Sequence, residues 1–347
     1  MKKILFCGGG TAGHVTPNVA LIQRLIGRYS LYYLGVGGLE RRILRPFIGK
    51  GLAYSEFAGV KFRRKISAEL FKLPVNFRRA VGSCRAVLSL YKPDLVVSKG
   101  GYGGLPVVIA AHGLKIPCVA HESDYSLGLA NRLSLPFVEK MFAVFPYAAE
   151  KAGKKGVLCA PPLRREVFGN ASEVLGKCNF AKKKPVLLVL GGSSGSEKIN
   201  EALSGSLGYL TENFNVIALT GKNKAVAGKG EGLFQTEFAD RIGDYYACAD
   251  VAVSRAGSNT LSELMANGIP SLLIPLESGS RGEQVKNALS YEKKGCAKIL
   301  FERDLTPLSL KNQTEKVFLS RNEIKRNIAS AVPHDSVMLD YIENRLS

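Results

Sequence analysis

The stretch Ala249–Pro275, ADVAVSRAGSNTLSELMANGIPSLLIP, admits few folds. Asp250 to Ser254 and Ser271 to Pro275 read as short apolar strands. Between them Thr260 to Asn267 has helical spacing, with Leu261, Leu264 and Met265 on one side. Gly268 supplies the stop and Pro270 prevents continuation. A strand–loop–helix–strand unit of this length joins parallel neighbours. Its small-residue loop, Ala256-Gly257-Ser258-Asn259, is aimed at the helix N-terminus, where amide N–H groups and the positive end of the dipole favour a phosphate or pyrophosphate. Glu263 sits one turn in, where a carboxylate could accept hydrogen bonds from two ribose hydroxyls. Thr260-Leu261-Ser262-Glu263 also spells a capping box, in which Glu263 would only satisfy a backbone donor.

The same grammar recurs along the chain. Lys3 to Cys7 is a strand running into Gly8-Gly9-Gly10-Thr11-Ala12-Gly13-His14, and Thr16 caps the helix that follows, with Pro17 at its first position. Leu31 to Val36 is the next strand. Asp94 to Ser98 runs into Lys99-Gly100-Gly101-Tyr102-Gly103-Gly104, with a helix from Leu105-Pro106. Pro117 to Ala120 ends in His121-Glu122-Ser123-Asp124 before a helix over Leu127 to Leu133. Phe142 to Phe145 is expected to be the last strand of this half. Around Ala160-Pro161-Pro162 the pattern resets. Val186 to Leu190 leads into Gly191-Gly192-Ser193-Ser194-Gly195-Ser196 and a helix from Glu197, and Val216 to Leu219, the Ala252 strand and Leu272 to Ile274 carry a second sheet. The expectation is an α/β chain of two Rossmann-like, doubly wound parallel-sheet domains facing a cleft. They cover residues 1–160 and 161–334. A helical tail over 335–347, apolar at Val337, Leu339, Ile342 and Leu346, packs back on the first.

Charge narrows the partners. The 347 residues carry a net +19, and residues 1–92 hold 17 Lys/Arg against Glu40, Glu56 and Glu69, so most of the excess lies there. Such a field recruits nucleic acid, acidic lipid headgroups or a phosphorylated substrate. Lys61 to Val81 mixes Arg63, Arg64, Lys65, Lys72, Arg78 and Arg79 with Ile66, Leu70, Phe71, Leu73, Val75 and Phe77. Basic clusters flanking apolar residues suit an anionic membrane surface. No apolar run approaches the ~18 residues of a membrane span. Gly8-Gly9-Gly10 cuts short what begins like a signal peptide, so the chain is expected to be neither exported nor membrane-spanning. Seven scattered cysteines, with no C-x-x-C pair, fit a reducing cytosol. With no Trp and the aromatics mostly in apolar runs, a nucleic-acid-binding reading is disfavoured.

Gly8, Gly10 and Gly13 match G-x-G-x-x-G, so a nicotinamide-dependent reductase must be considered. That site wants an acid near the end of the second strand, where this chain has Leu34-Gly35-Val36-Gly37-Gly38; the first acid, Glu40, lies beyond. Two domains with glycine loops and a ribose carboxylate in the second fit a nucleotide-sugar transferase better. No Asp-x-Asp cation motif occurs, so neither metal nor other cofactor is expected. Helix N-termini, hydroxyls and cations must then offset the leaving diphosphate, and Ser193, Ser258, Thr260 and Arg164 are of suitable type.

GGGTAGHVTPNVAL, KGGYGGLP, HESDYSLGLANRL, PPLR, GGSSGS and SRAGSNTLSELMANGIPSLLIP occur in this order over residues 8–275. The chain resembles the bacterial undecaprenyldiphospho-muramoylpentapeptide β-N-acetylglucosaminyltransferases, the MurG family, whose fold is GT-B. The resemblance implies inverting transfer of GlcNAc from UDP-GlcNAc to the C4 hydroxyl of MurNAc in lipid I, giving lipid II for peptidoglycan. It also implies a peripheral enzyme on the cytoplasmic membrane face, with the acceptor on the N-terminal domain. Thr11, Ala12 and Gly13 then lie near both diphosphates, Ala12 standing where the family more often has Gly. His14 is the first choice of general base and Glu122 the alternate. Asp124 stands where many members carry Asn. Arg164 and Ser193 match UDP-sugar positions, Ala239 a backbone contact to uracil, Ser258, Asn259, Thr260, Leu261, Ser262 and Glu263 the diphosphate and ribose, and Gln284 the GlcNAc hydroxyls. A GT-B enzyme with a diacylglycerol acceptor is the nearest alternative.

Overall fold

The computed structural model describes all residues except 60–68, 179, 182, 193, 229–230, 279–281 and 332–336, with the side chains of 69–73 also left aside. The chain divides into two compact units, Met1–Arg164 with His334–Ser347, and Arg165–Pro333.

The first unit holds a seven-stranded sheet. Its strands are β1 (Lys3–Gly9), β2 (Ser30–Gly35), β3 (Leu52–Glu56), β4 (Leu95–Gly101), β5 (Cys118–Glu122), β6 (Lys140–Ala143) and β7 (Gly156–Leu158), in the order β3-β2-β1-β4-β5-β6-β7. Every pairing is parallel, with Cys7 opposite Leu34 on one side and Ser98 on the other. Central strands covered on both faces must be apolar at nearly every position, which is why KILFCGG reads as an uninterrupted run. Alternate residues feed opposite faces. Leu5, Cys7 and Val96 pack with Ala80, Cys84 and Leu88 of the Glu69–Tyr91 helix and Val107 and Val108 of the Leu105–Gly113 helix. Ile4, Phe6 and Val97 pack with Val19, Ile22 and Leu25 of the Thr16–Leu25 helix.

Thr16 is the first residue of that helix rather than its cap. Val15 holds the cap position, and the Thr16 hydroxyl donates back to the Ala12 carbonyl at 2.9 Å.

The closing helix, Val337–Leu346, belongs to this unit. Met338, Ile342 and Leu346, spaced i, i+4, i+8, are the buried positions, whereas Val337 and Leu339 only flank the core. The apolar stripe therefore runs through Met338, which the sequence reading passed over. Burial of such side chains contributes roughly 1.5–3 kcal/mol each. Arg345 with Glu139 (3.2 Å) and Arg28 with Glu343 (2.6 Å) fix the register.

The second unit holds a six-stranded, all-parallel sheet: β8 (Val186–Leu190), β9 (Asn215–Leu219), β10 (Leu233–Thr236), β11 (Val251–Ser254), β12 (Ser271–Leu273) and β13 (Ala297–Ile299), in the order β10-β9-β8-β11-β12-β13. Strands β3, β7, β10 and β13 are the sheet edges and were not expected. An edge strand is paired on one side only and half-covered, so LFQT and AKI carry no apolar signature. For the same reason the first sheet runs on to β7, past the expected end at Phe145.

In each sheet the strand order reverses once, between β1 and β4 and between β8 and β11. Ligands of doubly wound sheets bind beyond the carboxyl ends of the strands flanking that reversal. The glycine-rich loops occupy these places.

Candidate functional site

In the first unit, Gly8–His14 follows β1 and Lys99–Gly104 includes the end of β4. Gly9 pairs with Gly101, so the two loops lie side by side. Gly101 has φ +69°, and a Cβ there would press on the Gly9 carbonyl and on His14 Cγ at 3.2 Å. Only glycine permits that approach. Ala12–His14 forms one tight turn in which Thr11 Oγ1 lies 2.8 Å from His14 Nδ1. When Nδ1 carries the proton and donates it to Thr11, Nε2 bears the basic lone pair. His14 is half-buried at the end of this loop.

Glu122 is placed differently. It is 5% exposed at the end of β5, and both its oxygens are occupied. Oε1 accepts from the Asp124 amide at 3.1 Å, and Oε2 from the Gly128 amide at 2.8 Å and Asn131 Nδ2 at 2.9 Å. This carboxylate clamps the 123–128 loop and so positions Asp124, which is half-buried. Beside it His121 is buried, its ring nitrogens without hydrogen-bond partners among the described residues, and burial together with buried Lys99 holds its pKa well below the usual histidine range. It stays neutral.

The acid missing from the end of β2 is supplied from beyond it. Glu40, in the short Leu39–Leu44 helix, folds back so that Oε1 accepts from the Val36 amide and from the Gly37 amide at 2.9 Å. At 1% exposure it is bound to its own backbone rather than presented to a ribose.

In the second unit, Ser196 caps the Glu197–Asn213 helix through the Ile199 amide. Arg255, at the end of β11, fastens that cap. Its Nη2 donates to Ser196 Oγ at 2.7 Å and pairs with Glu302, while Nη1 donates to the Ile274 carbonyl at 3.1 Å. Lys198 also meets Glu302, at 2.6 Å. Burial works to raise the Glu302 carboxyl, but the hydrogen bonds from Lys198 and Arg255 outweigh it and hold the pKa below the usual carboxylate value. Asn287, fully buried, donates to the Ala256 carbonyl at 3.3 Å and ties down the following loop. The sequence reading missed both. The one signal was a charged residue at the end of an otherwise apolar strand, immediately before a small-residue loop.

The next helix spans Ser258–Ala266, with Gly257 at the cap. It starts two residues before the expected Thr260, so Ser258, Asn259 and Thr260 form its first turn, the turn whose amides a helix directs outward. The capping box is thereby ruled out. Gly268, with φ +64°, closes the other end: its amide bonds Met265 O and the Ile269 amide bonds Leu264 O, both at 3.0 Å. Leu261 is fully buried and Ser262 is 3% exposed, so the Leu261 side chain serves the core and only its backbone is left for a ligand. Glu263 is 7% exposed and Oε2 accepts from the Tyr246 hydroxyl at 2.9 Å. Gln284 is half-buried, its Oε1 accepting from the Leu276 amide at 3.0 Å. Ala239 is half-buried in the loop after β10, Arg164 is half-buried at the end of the first unit, and Ser193 lies outside the described residues. Among the described residues no cluster of His, Cys, Asp and Glu could hold a metal ion.

Two doubly wound units with glycine loops at their switch points make up the GT-B fold. The crystal structure of Acinetobacter baumannii MurG has this fold, with a TM-score of 0.79 over 99% of this chain and 100% of that one, at 22% identity. The chain belongs to glycosyltransferase family 28: residues 4–143 match its N-terminal domain and residues 186–338 its C-terminal domain. It is 39% identical over 340 residues, 95% of each chain, to a Clostridium botulinum (strain Loch Maree / Type A3) protein named UDP-N-acetylglucosamine--N-acetylmuramyl-(pentapeptide) pyrophosphoryl-undecaprenol N-acetylglucosamine transferase. A Clostridium tetani protein of the same name is 35% identical over 354 residues, 99% of this chain and 98% of that one.

Proposed function

We propose that the chain transfers GlcNAc from UDP-GlcNAc to the C4 hydroxyl of MurNAc in undecaprenyl-pyrophosphoryl-MurNAc-pentapeptide, with inversion and without a metal, in peptidoglycan synthesis. The observation carrying this reading is the identity to relatives so named, which extends through both units. In this reading the second unit binds the donor. The Ala239 backbone meets uracil, Glu263 accepts from the ribose hydroxyls, the first turn of the Ser258–Ala266 helix receives the diphosphate with Ser193, and Gln284 meets the sugar. The first unit holds the acceptor, its diphosphate at Thr11, Ala12 and Gly13 and its sugar near Asp124.

His14 is the base. Its Nε2 takes the proton of the acceptor hydroxyl as that oxygen bonds the anomeric carbon and the bond from that carbon to the UDP phosphate breaks. Glu122, with both oxygens engaged by three N–H donors, supports the alternative role of positioning Asp124. The departing UDP gains charge, which the amides at the first turn of the Ser258–Ala266 helix offset.

The positive excess of residues 1–92 supports docking on an anionic surface, which in this reading is the cytoplasmic face of the cell membrane. Among the described residues no helix is long and apolar enough to cross a membrane. Arg78 and Arg79 are exposed, while Arg63, Arg64 and Lys65 lie outside the described residues. The test is turnover of UDP-GlcNAc with a lipid I analogue, beside a diacylglycerol, in the presence of EDTA. Transfer to the lipid I analogue alone is expected. Transfer only to diacylglycerol would replace the acceptor assignment.

A further inference from the structure

Glu40 is a buried ionisable group that the proposed reaction leaves unused. Its carboxyl lies beneath the first glycine loop. A Cβ at Gly9 would overlap Oε2 and a Cβ at Gly35 would overlap Oε1, so those two positions are glycine to admit this carboxyl rather than a ligand. Oε1 is satisfied by the Val36 and Gly37 amides. Oε2 is buried without a well-formed hydrogen bond among the described residues, and the Gly10 amide of the loop above gives the carboxylate only weak support. A buried carboxylate with one oxygen so poorly supplied with donors is costly, and protonation relieves that cost.

The surroundings reinforce this. From β1 the group faces Cys7, from β2 Tyr33, from β3 Tyr54 and Glu56, and from the loop after β4 Tyr102. Tyr33 gives its hydroxyl proton to the Gly8 carbonyl at 2.7 Å, and Tyr54 gives its own to Glu56 at 3.1 Å. The nearby cation Arg41 pairs with Glu56 at 3.7 Å, and Lys99 packs against Gly8. Among the described residues no cation pairs with Glu40. Burial foremost, with the Glu56 charge adding to it, lifts its pKa to about 7 against the opposing Val36, Gly37 and Gly10 amides.

We propose that Glu40 is a positioning residue for the first glycine loop that works as a neutral acid, and that its ionisation weakens binding of the acceptor's diphosphate there. This rests on the reading that places that diphosphate at Thr11, Ala12 and Gly13. As a neutral acid Glu40 fills the space under Gly9 and adds no charge to a loop that must receive an anion. Ionised, it sets a negative charge directly under that loop, in a low-dielectric interior that screens it poorly. By reciprocity a bound diphosphate raises the pKa of Glu40 further. The diphosphate of lipid I is esterified at both ends, so its own charge does not change across neutral pH.

The experiment compares wild type with Glu40→Gln, which keeps the Oε1 acceptor and removes the charge. KM for a lipid I analogue and for UDP-GlcNAc is measured at pH 6 to 8. With only the neutral form competent, acceptor KM in wild type rises about ten-fold over this range, while Glu40→Gln stays within about two-fold and donor KM is flat in both. Superimposable acceptor profiles for the two proteins would overturn the proposal. A second measurement does not depend on the acceptor's identity. The infrared band of the protonated carboxyl, assigned by its absence from Glu40→Gln, is followed in wild type against pH with and without inorganic pyrophosphate. The band should persist to higher pH with pyrophosphate. A band already gone at pH 6, or unmoved by pyrophosphate, refutes the role, whereas failure of lipid I as substrate with a responsive band would fault the acceptor assignment alone.

Discussion

Replacing Glu263 with alanine removes two things that can be weighed separately. The first is an internal bond: Oε2 accepts from the Tyr246 hydroxyl at 2.9 Å, and Tyr246 is itself 3% exposed. Stranding a buried hydroxyl costs about 1–3 kcal/mol of stability. The second is the proposed ribose clamp. Hydrogen bonds to a charged acceptor contribute about 1.5–3 kcal/mol each, so losing one or two raises donor KM by roughly ten-fold to about 10⁴-fold. Tyr246→Phe isolates the first quantity. In Glu263→Ala/Tyr246→Phe the stranded hydroxyl is gone, so stability recovers part of the loss while donor KM stays high. The assays are thermal unfolding, and steady-state KM for UDP-GlcNAc at saturating acceptor, on all four proteins. Should Glu263→Ala lower stability yet leave donor KM within two-fold of wild type, Glu263 is a structural acceptor for Tyr246 and the ribose assignment is wrong.

Other perturbations have equally definite outcomes. His14→Ala should lower kcat by about 10²–10⁴-fold with donor KM little changed, because proton transfer is lost while the second unit is untouched; a change confined to acceptor KM would make His14 a phosphate ligand. Arg255→Met removes a buried cation from Ser196 and Glu302, and breaking such a pair costs about 3–5 kcal/mol, reduced here by the retained Lys198–Glu302 contact. Thermal unfolding would show it, and an unchanged midpoint would refute the clamp. Glu40 sets a pH dependence whose sign follows from its raised pKa. Between the unfolded value of 4.5 and the folded value of about 7 the native state binds the extra proton. Stability therefore falls as pH rises through that window, by about 3 kcal/mol in all, and is level above it. In Glu40→Gln this fall should vanish; an equal loss of unfolding free energy between pH 5 and 8 in the two proteins, measured by chemical denaturation, would contradict it.

The central strands and glycine loops were legible in the sequence because strands covered on both faces leave an apolar run and tight loops at their ends leave glycine. The β1 and β8 runs and the loops after them are such cases. Residues whose role depends on a return from far along the chain left no such trace. Arg255 meets Ser196 across 59 positions, and nothing near either residue encodes that meeting. Glu40 was read as too distant from the β2 end, since a single helical turn can bring a carboxylate back onto the amides it has just passed. The sequence puts Glu263 one turn into a helix, which the structure shows to begin at Ser258, but the hydroxyl that meets its side chain comes from the Ile242–Cys248 helix and leaves no trace near Glu263. Edge strands left no repeating apolar signal, whereas Met338 does stand on the i, i+4, i+8 stripe with Ile342 and Leu346 that the sequence already carries.

The account stands most directly on where the nucleotide binds. In a crystal of the chain soaked with UDP, the base should lie against the Ala239 backbone, the ribose hydroxyls on Glu263 and the phosphates at the first turn of the Ser258–Ala266 helix. Density for the uridine at the Gly8–His14 loop of the first unit, with residues 239 and 263 empty, would contradict it.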